Sequence, residues 1–254
     1  MLPIERLEKI KEYLVKHEFA GVNDLAASLK VSTATIRRAL KQLEGERFVT
    51  LTRGGAVLAQ QGKQYEPPYM IKRRIHAAEK RQIAAEAAKL LGRNQTVFLD
   101  SSSTVFEMTR FVARIPGLLV ATNDVLIAAE LSNAEHVDVS VIGGSLRKGY
   151  YTLTGFFAEC GIRDLAFDYA FLGMDTISLK GGLMITNSEE VQIKRRVVEA
   201  ASRVIVLCDH SKFERESFVQ VCGFDQVDTI ITGKELPDAI HARYLDHGFD
   251  LVRA

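Results

Sequence analysis

The chain has 254 residues, 47% of them hydrophobic and 26% charged, with a formal net charge of +1. That length suits one large domain, or a small domain joined to a medium one, and no apolar run reaches the ~18 residues that a transmembrane helix needs. The near-neutral total hides a split: residues 1–81 carry 16 Lys/Arg against 9 Asp/Glu, while residues 82–254 carry 17 against 23. A basic N-terminal third on an acidic body is the distribution expected where only one end approaches phosphates. The opening Met1-Leu2-Pro3-Ile4-Glu5-Arg6 lacks the basic-then-apolar order of a secretory signal. Cys160, Cys208 and Cys222 are odd in number and widely spaced, which fits neither a disulfide framework nor a zinc site and suits a reducing cytoplasm.

Ile4, Leu7, Ile10 and Leu14 fall at helical spacing behind Pro3, a residue suited to a helix start. Ala20-Gly21 interrupts the pattern, and Val22–Leu29 forms a second helix with Leu25, Ala26 and Leu29 on one face. Ser32 is a good N-cap for a third helix. On that helix Ile36, Leu40 and Leu43 share one side and Arg37, Arg38 and Lys41 face away; Thr33 and Thr35 lie in its first turn, where hydroxyls and backbone N–H groups can meet phosphate oxygens. An apolar stripe opposite Thr, Arg and Lys is shaped for the DNA major groove. Two β-prone runs, Phe48–Arg53 and Gly54–Leu58, then read as a hairpin around the Gly54-Gly55 pair, with Arg53 near its tip. The pattern alone also suits a three-helix interaction module whose basic residues are merely solvated.

The wording Val31-Ser32-Thr33-Ala34-Thr35-Ile36-Arg37-Arg38, followed by Arg53-Gly54-Gly55-Ala56, resembles the DeoR family of bacterial regulators. The resemblance implies a winged helix-turn-helix over residues 1–58, with Ser32, Thr33, Thr35, Arg37, Arg38, Lys41 and Arg53 as the DNA-contacting set. The chain departs from that family's usual pattern at Ala39, where Asp is common, and at Arg53, where His is common. Residues 59–74 follow as an expected linker, in which Pro67-Pro68 argues against regular helix.

From residue 75 onward helical and strand-like segments alternate. Glu79–Leu91 reads as an Ala-rich helix ended by Gly92. Strands are expected at 96–99, 118–121, 137–142, 169–172, 204–207 and 229–231, each closing on small or polar residues. The fold class is therefore α/β: a small α+β head followed by an open, mostly parallel sheet covered on both faces. Ligands of such sheets bind beyond the carboxyl ends of the strands. Asp100-Ser101-Ser102-Ser103-Thr104 sits at one such end and suits an anionic group, phosphate above all, though a Ser-rich capping turn has the same spelling. Asn123 reads as a ligand amide or a plain turn, and Gly143-Gly144 as close backbone approach or a tight turn. Lys194 is either a site lysine or the partner of Glu190 in an ordinary i,i+4 surface pair, and Lys212 either faces a phosphate or water.

The resemblance continues through Leu99–Thr104, Thr122-Asn123, Gly143-Gly144, Phe171–Asp175, Lys194 and Asp209–Lys212, in the same order. It implies an effector-sensing domain over residues 75–254, similar to ribose-5-phosphate isomerase and glucosamine-6-phosphate deaminase. A phosphorylated sugar or related intermediate would be held by Asp100, Ser101, Ser102, Ser103, Thr104, Asn123, Gly143, Gly144, Asp175, Lys194 and Lys212. Thr176 stands where the family often has Gly. The expected protein is a DNA-binding regulator, most simply a repressor of a carbohydrate operon, acting on double-stranded operator DNA as a homodimer or homotetramer. No cofactor, metal, membrane or catalytic residue is expected. The competing reading is a sugar-phosphate isomerase or deaminase carrying an accessory DNA-binding head. Against it, Asp209, His210 and Ser211 are consecutive and cannot form a triad with one another.

Overall fold

The computed structural model describes residues 2–17, 19–59, 62–63 and 65–254, and it divides into two compact units, residues 1–75 and 76–254. In the first unit α1 (Pro3–His17) buries Ile10 and Leu14. A short strand β1 (Phe19–Gly21) leads into α2 (Val22–Leu29), which ends on Lys30 in the left-handed region, φ +53. Next comes α3 (Thr33–Gly45), capped by Ser32, whose side chain accepts the Thr35 N–H at 3.2 Å. The buried faces of these helices meet β2 (Val49–Thr52) and β3 (Gly55–Leu58) in one core.

The wing differs from the sequence expectation in two ways. Its turn is Arg53-Gly54, because Thr52 pairs with Gly55 and Gly54 takes φ +100. It also has a third strand: β1 pairs with β3, giving the order β1-β3-β2. Gly55 permits that pairing, since a Cβ there would lie 2.2 Å from the Ala20 carbonyl oxygen. Part of the stretch read as linker is helical: α4 (Tyr69–Arg74) starts directly after Pro68 and buries Tyr69 and Ile71. Pro67-Pro68 thus precedes a helix, the place where proline is tolerated. Arg74 joins α4 to α1, its guanidinium 3.1 Å from Glu8 and 3.4 Å from Glu12. Gln60, Gln61 and Gln64 of the expected linker lie outside the described residues.

The second unit opens with α5 (Ala77–Ala88), which stops at Lys89 rather than running to Leu91; the Gly92 N–H is instead donated to Gln95 Oε1 at 2.7 Å. Then follow β4 (Thr96–Leu99), a 3-10 turn at Val105–Met108, α6 (Thr109–Val112), β5 (Leu118–Thr122), α7 (Val125–Leu131) and β6 (Val137–Val141). A hairpin of β7 (Ser145–Arg147) and β8 (Thr152–Thr154) precedes α8 (Phe156–Ile162) and β9 (Phe167–Leu172). A second hairpin, β10 (Thr176–Ser178) and β11 (Gly182–Ile185), leads to α9 (Val191–Ala200) and β12 (Ala201–Leu207). The chain closes with β13 (Val219–Cys222), β14 (Thr229–Thr232), α10 (Asp238–Asp246) and β15 (Leu251–Arg253).

All six strands expected from the sequence join one seven-stranded parallel sheet, ordered β15-β14-β12-β9-β4-β5-β6. Alternation along each strand builds two cores. Phe98, Ala170, Leu172, Val204 and Val206 point to one face, with α8 and α9; Val97, Leu99, Phe171, Ile205 and Leu207 point to the other, with α5 and α7. Strand order runs outward from β4 through β5 to β6, then returns to β9 on the other side of β4. The crevice beyond β4 and β9 is therefore the topological switch point, where open parallel sheets leave room for a ligand.

Candidate functional site

The DNA-facing candidates lie as the two-faced third helix predicts. Ile36, Ala39, Leu40 and Leu43 are buried on the core side of α3, whereas Arg37, Arg38 and Lys41 are exposed. Thr33 and Thr35 are half-buried in the first turn, and the Thr35 hydroxyl lies 2.9 Å from the Ser32 hydroxyl. Arg53 is exposed at the wing tip. Among the described residues none of Arg37, Arg38, Lys41 and Arg53 pairs with a carboxylate. Ala39 belongs to the buried stripe, so the small apolar side chain is accommodated where the family commonly has Asp.

In the second unit, parallel strands place every candidate loop at one edge of the sheet. Asp100 follows β4 and is 1% exposed; its Oδ2 accepts the Gly173 N–H at 2.9 Å and the Lys194 ammonium. Lys194, 3% exposed on α9, also donates to the Gly173 carbonyl at 3.0 Å. The surface pair with Glu190 read as an alternative does not form: Glu190 Oε1 accepts from Arg147 on β7 at 2.7 Å, and that guanidinium stacks 3.7 Å from the Tyr150 ring centroid. A buried ion pair thus joins the β4 end to α9 at the switch point, and both its members hydrogen-bond Gly173 at the end of β9.

Around that pair the serine loop is held from several sides. Ser101 Oγ donates to Asp124 Oδ2 at 2.9 Å and lies 2.6 Å from Thr152 Oγ1. Ser102 Oγ accepts the Thr104 N–H at 3.2 Å, which is the capping role read as an alternative. Gly173 packs against this loop so closely that a Cβ there would stand 2.2 Å from Ser102 Oγ. Ser103 and Thr104 are buried, yet their hydroxyls have no protein partner among the described residues. The backbone N–H groups of Ser101, Ser102 and Ser103 likewise donate to no acceptor among them. Uncommitted donors gathered on successive residues of one loop are the makings of an anion cradle.

Not every candidate meets this loop directly. Asn123 donates to the Leu153 carbonyl at 3.3 Å, while its buried Oδ1 has no hydrogen-bond partner. Gly144, at φ +153, passes so near β8 that a Cβ would lie 2.6 Å from the Thr154 carbonyl oxygen, and Gly143 is exposed beside it. Asp175 Oδ2 accepts the Thr186 N–H at 2.9 Å and so braces the β10–β11 hairpin. Lys212 is half-buried beside Asp209, part of a separate cluster in which Lys80 stands 3.7 Å from Asp209. Burial alone would raise the Asp209 carboxyl, but Lys212 and Lys80 hold it well below the usual range.

Two residues that organise the loop escaped sequence reasoning. Asp124 caps α7 by accepting the Leu126 and Ile127 N–H groups at 2.7 and 3.0 Å, and burial pushes its carboxyl up to about 6. An Asp before an apolar run was a legible cap signal. Thr152 sits on a three-residue strand that no periodicity announces.

Comparison with known proteins shows the family. A model of the DeoR-like helix-turn-helix domain matches residues 6–62, and one of the DeoR C terminal sensor domain matches residues 75–234. A putative aga operon transcriptional repressor of Escherichia coli O157:H7 is 35% identical over 92% of this chain and 87% of its own. An L-fucose operon activator of Haemophilus influenzae is 30% identical over 92% of this chain and 93% of its own. Among solved structures, ribose 5-phosphate isomerase from Plasmodium falciparum is similar to 53% of the chain, covering 52% of its own, at 16% identity and a TM-score of 0.39. Among the described residues no helix is long and apolar enough to cross a membrane. With both family domains in order and relatives aligned over nearly its whole length, the chain belongs to the DeoR family of helix-turn-helix transcriptional regulators.

Proposed function

We propose that this regulator represses a carbohydrate catabolic operon and is released from its operator by a phosphorylated sugar bound at the β4–β9 switch point. The observation that carries the reading is the serine loop: unpaired N–H groups at Ser101, Ser102 and Ser103, with the Ser103 and Thr104 hydroxyls uncommitted. A phosphate supplies the acceptors those donors lack, and the Lys194–Asp100 pair fixes the start of the loop beside them. Asn123 Oδ1 is a buried acceptor able to take a sugar hydroxyl. The DNA-facing set is Ser32, Thr33, Thr35, Arg37, Arg38, Lys41 and Arg53, with α3 in the major groove and the wing on the adjacent backbone. The active species is a homodimer or larger homo-oligomer, because helix-turn-helix heads usually read paired half-sites.

The effector acts only in so far as it binds the operator-free arrangement more tightly than the operator-bound one. Fluorescence anisotropy of operator DNA, titrated with a panel of sugar phosphates, tests this. A phosphorylated sugar should release the DNA where its unphosphorylated counterpart and inorganic phosphate do not. Turnover of the sugar phosphate, or release by the unphosphorylated sugar alone, would sink the proposal.

A further inference from the structure

Two histidines and a buried glutamate of the second unit converge at its first residue. His76 caps α5 from the left-handed region, φ +55, and its carbonyl accepts the Lys80 N–H at 3.0 Å. Glu79 lies one turn along α5 and is buried, while His210 begins the 3-10 turn that follows β12. Glu79 Oε1 accepts the backbone N–H of His210 at 2.7 Å. Its other oxygen, Oε2, lies 2.9 Å from His210 Nδ1 and 3.7 Å from His76 Nδ1. One donor atom from each of the three residues falls within 4.8 Å of the other two.

We propose that His76, Glu79 and His210 form a binding site for a divalent transition-metal ion of the zinc class. Two imidazoles and one carboxylate are a donor set that zinc takes, with a fourth position left to water or another ligand. Zinc bonds of about 2.0–2.2 Å in tetrahedral geometry set donor atoms about 3.3–3.5 Å apart. The His76–Glu79 separation of 3.7 Å is already near that spacing. The His210 separation has to open by about half an ångström, which its part-exposed ring permits.

The surroundings favour an ion in this position. Bonding of Oε1 to a backbone amide orients the carboxylate and leaves Oε2 to ligate, the usual arrangement behind a metal-bound carboxylate. Packing holds it as well, since a Cβ at Gly233 would stand 2.3 Å from Glu79 Cγ. The carboxylates of Glu79 and Asp209 lie in one cluster with the ammonium groups of Lys80 and Lys212. A plain His–carboxylate hydrogen bond accounts for His210 alone. The second imidazole, His76, meets His210 edge-on with ring centroids 4.7 Å apart, so both rings stand at the same carboxylate oxygen. Once bound, the ion would tie the first residue of the second unit to the end of β12, so metal occupancy would stiffen the start of that unit.

The test uses the full chain, stripped with chelator and titrated with Co2+ and then Zn2+. One Co2+ per chain should give the visible absorption of a low-coordinate site, be displaced by Zn2+, and raise the melting temperature. His76→Ala and His210→Ala should each weaken binding at least ~10-fold, whereas His136→Ala, an exposed histidine outside the cluster, should leave it unchanged. Circular dichroism in chelator checks that the variants are folded; should His210→Ala not fold, His76→Ala carries the test alone. Absence of stoichiometric Co2+ uptake by the folded parent, or undiminished uptake by folded His76→Ala, overturns the proposal.

Discussion

Replacing Lys194 by Met keeps an unbranched side chain of similar bulk and removes its charge from the switch point. Asp100, 1% exposed, would be left with only the Gly173 N–H on its Oδ2. Breaking a buried ion pair from one side typically costs about 3–5 kcal/mol, because the remaining charge is desolvated and unmatched. For a unit of roughly 150–250 residues each kcal/mol moves the melting temperature about 2–4 °C, so Lys194→Met should lower it by roughly 6–20 °C. Adding Asp100→Asn removes the stranded charge while its side-chain oxygen still accepts from Gly173. The double variant should therefore regain most of the loss. Thermal and urea unfolding followed by circular dichroism measure the stability side, and operator release by sugar phosphate measures function. A folded double variant that binds operator but ignores the effector would give this pair its place in sensing. A loss under ~1 kcal/mol in the single variant, or a double variant no more stable than the single, would refute the reasoning.

Arg37→Ala with Lys41→Ala should weaken operator binding and flatten its salt dependence, each lost phosphate contact removing about 0.9 from the log–log slope; an unchanged slope would place the reading helix elsewhere. Gly173→Ala should force Ser102 aside, costing about 1–3 kcal/mol and blunting the effector response while operator binding survives; a full response in this variant would remove Ser102 from the site. Of the three thiols, only half-buried Cys160 should react quickly with a disulfide reagent in the native protein. Burial pushes Cys222 up to about 12 and Cys208 well above its usual range, so rapid loss of two or more thiols would contradict the fold around β12 and β13.

The parts legible in the sequence were those governed by local pattern. The Ser32 cap, the stripe of Ile36, Leu40 and Leu43, and six strand cores each announce themselves within a dozen residues. What escaped depended on distant partners. Strand β1 forms at a break in helical pattern because Gly55 lets Ala20 approach. The choice between the two readings of Lys194 could not be made locally, because its nearest carboxylate in sequence, Glu190, is taken by Arg147, while Asp100 lies at a strand end far away in sequence. The meeting of His76 and Glu79 with His210 is likewise invisible locally, since His210 arrives from beyond β12. Six residues of the expected linker fold as α4 because Tyr69 and Ile71 are buried and Arg74 reaches Glu8 and Glu12, contacts that composition does not reveal.

Asp124 joins the stability of the second unit to its proposed effector site. Its carboxyl, fully buried, is pushed from 3.8 up to about 6, chiefly by burial and against the pull of the Ile127, Ser101 and Leu126 bonds. A raised folded value means that the folded chain holds this proton more tightly than the unfolded one between those two values. Stability is therefore lost as pH rises from about 4 to 6, with a cost on the order of 3 kcal/mol above that window and none below it. Asp124→Asn retains an oxygen for the α7 cap and has no proton to lose, so it should exceed the parent in stability at pH 7 and match it near pH 4. The same proton bears on the effector, because Ser101 spans Asp124 and the loop proposed to hold phosphate. A phosphate beside that loop disfavours an ionised Asp124, so binding should draw a proton onto it and strengthen as pH falls from 7 to 6. Phosphate esters titrate near pH 6 themselves, so the diagnostic quantity is the difference between parent and Asp124→Asn in isothermal titrations run in two buffers of unlike ionisation heat. The parent should take up more protons on binding than the variant does. Equal proton uptake would separate Asp124 from the effector and leave it as a helix cap alone.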